Sequence, residues 1–335
     1  MPRDYRRNHI ASASYLANFA DTSGELCAIA TDNGSVTRGR PRTMGFRNEF
    51  WGGDRTVRMF AERQLSIFEN DASHASEKLL GSGVPRPNTN DRLALMMLIA
   101  IHVTRNPAGR ENLLRIQQRV LSQNAAKYRE GLSSEQYDEL LRRFTSDAFI
   151  TDVFLRNLSK VASFLGSMHW TLIEFNHGLL ATSDQPVTIV PLMRPGVDVP
   201  VAAIPSGPLV DCLEVRFALT PRHALVMAWI DEPDDGPVMN GDDALAAQLN
   251  RAVIGQADEQ WFHHPARRPV RLIAPDLHAS GCEPVAHRHR PGYGVDTAWS
   301  SQRRLQASAN LDELIELQMP NMVKTVAIEH LSPTR

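Results

Sequence analysis

Residues 91–105 read DRLALMMLIAIHVTR, and this stretch decides the fold because its apolar side chains leave almost no polar face. A helix that is apolar on nearly every side is normally buried on all faces. We therefore predict a buried helix here, with residues 93–101 almost entirely covered. Pro107 lies just beyond its end, where a residue that cannot continue a helix is expected.

Further helices flank this stretch in the sequence. Residues 55–80 carry an apolar stripe at helical spacing, which consists of Val57, Ala61, Leu65, Phe68, Ala72 and Leu79. We also predict a short helix within residues 8–19 and longer ones at residues 110–130, from Ser133 onward and at residues 147–166.

Strand patterns occur on both sides of these helices. Upstream, residues 25–31 and 35–37 predict a β-hairpin closed by a two-residue turn at Asn33-Gly34, where both central residues need a positive φ. Downstream, residues 168–176 and 179–184 predict a second hairpin joined by His177-Gly178. Further strands are predicted at residues 187–192, 213–220 and 223–230, the last two joined by Pro221-Arg222.

The end of the chain combines a helix with irregular sequence. Asp242 is expected to cap a helix that continues through Phe262. Residues 264–305 are rich in Pro, His, Arg and Gly and indicate irregular structure, and a short helix is predicted at residues 311–318.

These elements predict an α+β protein, with an N-terminal helical layer packed with a mostly antiparallel C-terminal sheet. No linker rich in Pro, Ser or Gly divides the chain, so we expect a single α+β domain over residues 1–335. Within it, the helical part covers about 40–166, the strand-rich part about 168–263 and an irregular C-terminal part 264–335.

Composition excludes several classes of protein. The chain has 335 residues, of which 42% are hydrophobic and 22% charged, and this argues against a disordered chain. A net charge of -2 excludes a basic field over the whole surface, although it leaves room for a local basic groove. The longest apolar run has nine residues, well short of the roughly 18 that a membrane span needs. We expect a cytoplasmic protein with no membrane partner, of undetermined oligomeric state.

Two glutamates of the first long helix are candidate catalytic or metal-binding groups. Glu62 and Glu69 lie two helical turns apart at the border of the apolar stripe. Carboxylates there could do acid–base chemistry or bind a hard divalent ion. The alternative is that each pairs with an arginine from a neighbouring helix, and arginines are abundant because only four of the 36 basic residues are lysines.

Asp184 is a third candidate carboxylate. It follows a predicted strand in the sequence Ser183-Asp184-Gln185-Pro186, so a rigid scaffold could direct it into a cleft. The alternative is an Asx turn, in which the Asp184 carboxylate binds backbone amides of its own turn.

Other candidates are aromatic or basic. His9 could act as a general base or metal ligand, or be a capping or core histidine. Tyr15 indicates a core residue whose hydroxyl needs one partner. His102 and Arg105, as positive groups at the end of the buried helix, would favourably meet its dipole. A desolvated Arg105 should also have an acidic partner: Asp184, Glu62 or Glu69. Arg222 could face an anion or be a simple turn residue.

Several of these residues lie in ordered motifs. The motifs are His9-x5-Tyr15-Leu16-x2-Phe19, Glu62-x2-Leu65-x3-Glu69, Thr104-Arg105-Asn106-Pro107, Thr182-Ser183-Asp184-Gln185-Pro186-Val187 and Leu219-Thr220-Pro221-Arg222. Their order and spacing over about residues 8–263 resemble a large bacterial family of unknown function, DUF4238. Ser12 departs from that family's usual proline, and Thr104-Arg105-Asn106 only approximates its Arg-Thr-Pro segment. The resemblance implies no activity.

Two functional hypotheses follow from the residues. In the first, the chain is a metal-dependent hydrolase, of phosphodiesterase or nuclease type, that acts on a phosphate-containing ligand or nucleic acid. His9, Glu62, Glu69 and Asp184 would be catalytic, and the three carboxylates would hold a divalent metal ion. Arg105, Arg222 and Tyr15 would bind the substrate.

In the second hypothesis, the same residues form a buried salt-bridge network in a non-catalytic ligand-binding or sensing module. Carboxylates that converge and open to solvent favour the hydrolase. Carboxylates that are each paired with one arginine favour the binding module.

Overall fold

The computed structural model describes residues 7–107, 110–111, 114–115, 131–177, 180–192, 209–232, 235, 238–266, 285–286 and 295–309. Its helices are α1 (Ala13–Ala17), α2 (Arg55–Ser82), α3 (Asn90–Thr104), α4 (Ser134–Phe144), α5 (Asp147–Ser167), α6 (Asp243–Gly255) and α7 (Val295–Ser300). Its strands are β1 (Arg7–His9), β2 (Leu26–Ala30), β3 (Val36–Gly39), β4 (Phe46–Asn48), β5 (His169–Phe175), β6 (Thr182–Ser183), β7 (Val187–Pro191), β8 (Cys212–Thr220), β9 (His223–Ala228), β10 (Met239–Gly241) and β11 (Gln260–His263).

The described strands form three sheets. A five-stranded sheet has the order β10-β5-β9-β8-β7, a four-stranded sheet has the order β3-β2-β11-β6, and β1 pairs with β4 in a two-stranded ribbon. Every pairing among them is antiparallel except that of β10 with β5. The protein is therefore an α+β mixture, as predicted. Strands from its first 50 residues contribute to two of the sheets, so the strands are not confined to the C-terminal half.

One large apolar cluster joins the helices to both larger sheets. Helix α3 packs against α2 and α5. The cluster includes Leu65 of α2, Leu98 of α3, Leu158 of α5, Val215 of β8 and Phe262 of β11. Burial of such side chains is the dominant favourable term in folding.

The buried helix is confirmed, except for its first turn. Leu98, Ile99 and their neighbours through His102 are buried, but Leu93 is 53% exposed. The first turn of α3 reaches the surface, where Asp91 forms an ion pair of 2.9 Å with Lys78 of α2. The prediction that residues 93–101 are almost entirely covered is therefore wrong for this end of the helix.

Local signals predicted helix starts and one hairpin correctly. Ser133 and Gln136 form a capping box at the start of α4. Strands β2 and β3 pair as predicted, but their turn differs because Gly34 has a positive φ, at 68°, and Asn33 does not. The connection is thus longer than the two-residue turn expected for Asn33-Gly34.

The predicted hairpin around His177-Gly178 is wrong. Strand β5 pairs with β9 and β10, whereas β6 pairs with β11 in the other large sheet. Between them, the Leu180 N–H donates to the Pro221 carbonyl and the Ala181 N–H donates to the Asn250 side chain. These two bonds hold the segment in which the chain passes from the five-stranded sheet to the four-stranded sheet.

The last predicted helix is too long. Helix α6 starts after Asp242, which accepts a hydrogen bond from the Leu245 N–H at 2.7 Å, but it ends at Gly255. Strand β11 follows a turn at residues 256–259, so Phe262 is a strand residue rather than a helical one. Most of the predicted helix 110–130 and the whole of 311–318 lie outside the described residues.

Candidate functional site

Arg105 lies at the end of α3 and is almost fully buried, with its side chain 1% exposed. Its Nη2 donates to Oε1 of Glu69 on α2 at 2.6 Å, and its Nη1 donates to the backbone carbonyl of His9 on β1. Glu69 is thus the acidic partner that a desolvated Arg105 was expected to need. The guanidinium ties β1 to both helices.

Glu62, two turns before Glu69 on α2, has neutral partners. Its Oε1 accepts a hydrogen bond from Trp51 Nε1 at 2.8 Å and one from Asn8 Nδ2 at 3.2 Å. The residue is half-buried. Its carboxylate therefore serves as an acceptor that joins β1 and the loop before α2 to the helix.

His9 lies between these charged groups. Burial lowers its pKa, and the Arg105 guanidinium lowers it further, whereas a bond to the Arg42 backbone and the carboxylates of Glu62 and Glu69 raise it. Nε2 of His9 is buried without a hydrogen-bond partner among the described residues. Because its pKa is lowered overall, the imidazole is neutral near pH 7. We call His9, Glu62, Glu69 and Arg105 the Arg105 cluster.

Asp184 is bonded elsewhere. Its Oδ1 accepts the Asp258 N–H at 2.9 Å, and its Oδ2 accepts those of Glu259 and Gln260 at 2.7 and 3.0 Å. Burial raises the pKa of Asp184, and these three donors oppose that effect. We call Asp184 and its donors at residues 258–260 the Asp184 turn.

The interpretation of Asp184 as an Asx turn needs correction. The amides that it binds belong to the turn before β11, far along the chain, rather than to its own turn. Its own turn is closed by Ser183, whose Oγ accepts the Gln185 N–H at 3.1 Å. Asp184 thus fastens the end of β6 to the start of β11, because the Asp184 N–H also donates to the Gln260 carbonyl.

Tyr15 is a core residue with a satisfied hydroxyl. Its Oη donates to the Ala218 carbonyl at 2.6 Å and shares a 2.7 Å hydrogen bond with Thr182. Burial raises the pKa of this phenol. Its ring lies 4.9 Å from that of His102, measured between centroids.

His102 is not the positive group that its position at the end of α3 suggested. Burial and the nearby Arg105 lower its pKa to about 3, so the imidazole is neutral near pH 7. Its ring lies against those of Tyr15 and Phe217, which stack on each other with their centroids 4.9 Å apart. Desolvation therefore outweighs the favourable helix dipole.

Arg222 lies in the turn between β8 and β9. It donates to the Phe175 carbonyl at 3.1 Å and to Glu174 at 3.3 Å, and its N–H donates to Thr220 at 3.0 Å. None of these partners belongs to the Arg105 cluster. The structure thus brings four predicted residues together and holds Asp184, Tyr15 and Arg222 with other partners.

The three carboxylates expected to hold a metal ion are bonded to protein groups. The donors are side chains for Glu62 and Glu69 and backbone amides for Asp184. In the described ranges, no group of three or more His, Cys, Asp or Glu side chains is placed to hold an ion.

Asn8 and Trp51 are partners that the sequence reasoning missed. The only sequence signal near them is the pair of glycines after Trp51. Gly52 has a φ of 89°, and a Cβ there would lie 1.8 Å from Cγ of Asp147. Only glycine allows this approach, which lets Asp147 accept the Gly53 N–H at 2.9 Å and fixes the loop that carries Trp51.

Comparisons with known proteins identify a family but no activity. Within the described residues, no helix is both long enough and apolar enough to cross a membrane. No curated protein and no solved structure matches the chain significantly. Residues 7–267 match the sequence profile of DUF4238, which is described as a protein of unknown function. The match covers more than half of the 335 residues, and the chain therefore belongs to the DUF4238 family.

Proposed function

We propose that this chain is a non-catalytic ligand-binding or sensing module, in which the Arg105 cluster is a fixed internal network. The observation that carries the proposal is that every candidate carboxylate is already bonded to protein donors. Glu69 binds Arg105, Glu62 binds Trp51 and Asn8, and Asp184 binds three backbone amides.

The energetics of burial support this assignment. Arg105 cannot lose its proton, so a buried guanidinium requires an anionic or carbonyl partner. Moving Glu69 to a metal ion or substrate would leave the Arg105 charge with the neutral carbonyl of His9. A carboxylate that the fold needs in this way is poorly suited to exchange ligands during turnover.

The test is to remove charge at constant shape. We expect Glu69→Gln to lower the free energy of unfolding while leaving divalent-ion binding and phosphodiesterase activity no different from those of the parent protein. The measurements are urea unfolding, calorimetric titration with Mg²⁺ and Mn²⁺, and a nucleotide and nucleic-acid hydrolysis assay. A folded Glu69→Gln variant of parental stability that had lost ion binding or hydrolysis would overturn the proposal.

A metal-dependent hydrolase is the second candidate function, and the observation that favours it is the Nε2 atom of His9. His9 Nε2 has no hydrogen-bond partner in the described part of the chain, and burial and Arg105 lower the pKa of the imidazole, which is therefore neutral near pH 7. Such an imidazole can act as a general base near neutral pH. This candidate predicts metal-dependent hydrolysis of nucleotides or nucleic acid that is lost in His9→Gln at unchanged stability. Absence of hydrolysis in the parent protein with Mg²⁺, Mn²⁺ and Zn²⁺ would contradict it.

A further inference from the structure

The turn between β2 and β3 contains an Asn-Gly pair that plays no part in the Arg105 cluster. Asn33 and Gly34 are both exposed in this turn. In such a pair, the backbone nitrogen of the glycine can attack the side-chain amide carbon of the asparagine, because glycine has no Cβ to obstruct the approach. The turn is therefore a candidate site of covalent modification, and its geometry decides whether the reaction is favoured.

The Asn33 side chain is already folded toward the nitrogen that would attack it. The Ser35 N–H donates to Oδ1 of Asn33 at 2.8 Å, which closes an Asx turn over the peptide that joins Asn33 to Gly34. Holding two reacting groups close together lowers the barrier to their reaction. The same N–H also stabilises the negative charge that develops on Oδ1 when the side-chain carbon is attacked.

The Gly34 backbone has room to move. Its φ is 68°, and apart from its chain neighbours no described residue places a heavy atom within 4 Å of where a Cβ would lie. One hydrogen bond opposes the attack, because the Gly34 N–H donates to the Ala30 carbonyl at 3.0 Å. That bond must open before the nitrogen can react, and local opening of an exposed turn costs little free energy.

A second Asn-Gly pair provides an internal comparison. Asn240 and Gly241 belong to β10, where they pair with Glu174 and Phe175 of β5. A Cβ on Gly241 would lie 2.3 Å from Cε1 of Phe175, so the Gly241 backbone is packed closely against that ring. Asn240 is exposed, as Asn33 is. The two pairs therefore differ in the freedom of their backbone rather than in the exposure of the asparagine.

We propose that Asn33 is a site of spontaneous deamidation in the folded protein, whereas strand pairing protects Asn240. A bond forms between the Gly34 nitrogen and Cγ of Asn33, the Cγ–Nδ2 bond breaks, and the side-chain nitrogen leaves as ammonia with the proton of the Gly34 N–H. Water then opens the cyclic imide at either carbonyl, which yields aspartate or isoaspartate and adds one negative charge. No oxidant or reductant is needed. The modification goes beyond the proposed function.

The experiment compares the two pairs within one protein. The parent protein is incubated at mildly alkaline pH, both folded and in guanidinium chloride, and samples taken over time are digested. Mass spectrometry of the two peptides then measures the conversion of amide to acid at Asn33 and at Asn240. The control variant is Asn33→Gln, which keeps a side-chain amide but has a longer side chain that does not form this cyclic imide.

In the folded protein, we expect Asn33 to convert at least about tenfold faster than Asn240, because β10 must first open from β5. In guanidinium chloride the two rates should become similar, since each asparagine is followed by glycine. Ion-exchange chromatography of the incubated parent protein should show a more acidic form that Asn33→Gln does not produce.

Two results would overturn the inference. One is that Asn33 stays unmodified in the folded protein over a time in which it converts in guanidinium chloride. The other is that Asn240 converts as fast as Asn33 in the folded protein. Both results are separate from the tests of the proposed function, which depend on Glu69, ion binding and hydrolysis.

Discussion

The Arg105 cluster and the Asp184 turn bury carboxylates in different ways. In the Asp184 turn, three backbone amides bind one carboxylate. In the Arg105 cluster, side chains bind Glu62 and Glu69, and one of these donors is a buried guanidinium. Backbone donors are fixed by the fold, whereas side-chain donors can rotate, and the guanidinium of Arg105 also brings its own charge.

The Asp184 turn joins two strands, whereas the Arg105 cluster is a network that contains charged side chains. The carboxylate of Asp184 has donors at both oxygens and joins two strands. The cluster keeps an imidazole nitrogen on His9 that has no partner among the described residues, and the charged members shift the proton affinity of His9. Substitutions at either place should therefore change stability, and those in the cluster should also change the proton affinity of His9.

The largest effect is expected at the Asp184 turn. Asp184→Asn replaces one of the two carboxylate oxygens with an NH₂ group, which cannot accept a hydrogen bond. At least one of the three backbone N–H groups that Asp184 binds then loses its acceptor. Leaving buried donors unsatisfied costs about 1–3 kcal/mol each, so we expect a loss of about 2–4 kcal/mol in the free energy of unfolding, measured in urea.

Asp258→Asn is the matched control. Asp258 is exposed and pairs with Arg47, a surface ion pair worth about 0–1 kcal/mol. Equal losses in Asp184→Asn and Asp258→Asn would contradict the role of Asp184 as a buried acceptor.

Within the Arg105 cluster, Glu69→Gln should be more costly than Glu62→Gln. The amide introduced by Glu69→Gln could still accept one bond from Arg105 but would leave its charge unbalanced, so we expect a loss of about 1–3 kcal/mol. The amide introduced by Glu62→Gln could keep both bonds from neutral donors, with a loss under about 1 kcal/mol. Urea unfolding of both variants measures the contrast, and the reverse order would refute the distinction between charged and neutral donors.

The buried histidines should make the protein less stable as the pH falls. His102 has a pKa of about 3 in the folded protein, below its ordinary 6.5, so its contribution is complete above about pH 6.5 and is lost as the pH falls towards 3. One proton taken up on unfolding gives a slope of at most about 1.4 kcal/mol per pH unit.

Unfolding of the parent protein and of His102→Gln between about pH 5 and 7.5 isolates this contribution, because most carboxylates stay ionised there. His9 and His223 also have lowered pKa values and remain in both proteins, so only the difference in slope reports on His102. Parallel curves for the two proteins would contradict its neutrality.

The smallest effect is expected for His9→Gln. The imidazole makes one bond, to the Arg42 backbone, and Nε2 makes none with the described residues. A glutamine can replace that single bond, so we expect a loss under about 1 kcal/mol. Thermal unfolding checks this, and a loss above about 2 kcal/mol would place His9 among the residues that the fold requires.

Periodicity and desolvation predicted part of this account. The apolar stripe of α2 and the buried stretch of α3 follow directly from side-chain spacing. The acidic partner of Arg105 could be anticipated because a guanidinium at the end of a buried helix cannot remain unpaired. The pairing of Arg105 with Glu69, rather than with Glu62 or Asp184, depends on how α2 packs against α3. The spacing of residues in the sequence does not determine that packing.

Long-range pairing accounts for the errors. Two strands near His177 are close in sequence but belong to different sheets, since strand partners are chosen by the whole fold. The apolar residues of α6 are followed at helical spacing by residues of β11, so the helix was predicted to continue through Phe262. The amides that bind Asp184 belong to that misassigned turn, so its real partners could not be identified from the sequence.

The central claim is that the Glu69 carboxylate serves the fold by pairing with Arg105. A double-mutant cycle of Glu69→Gln and Arg105→Gln measures that pairing directly, with the exposed pair Asp152 and Arg156 of α5 as the control cycle. We expect a coupling of about 1–3 kcal/mol for the buried pair and under about 0.5 kcal/mol for the control. Losses at Glu69 and Arg105 that add within about 0.5 kcal/mol would contradict it.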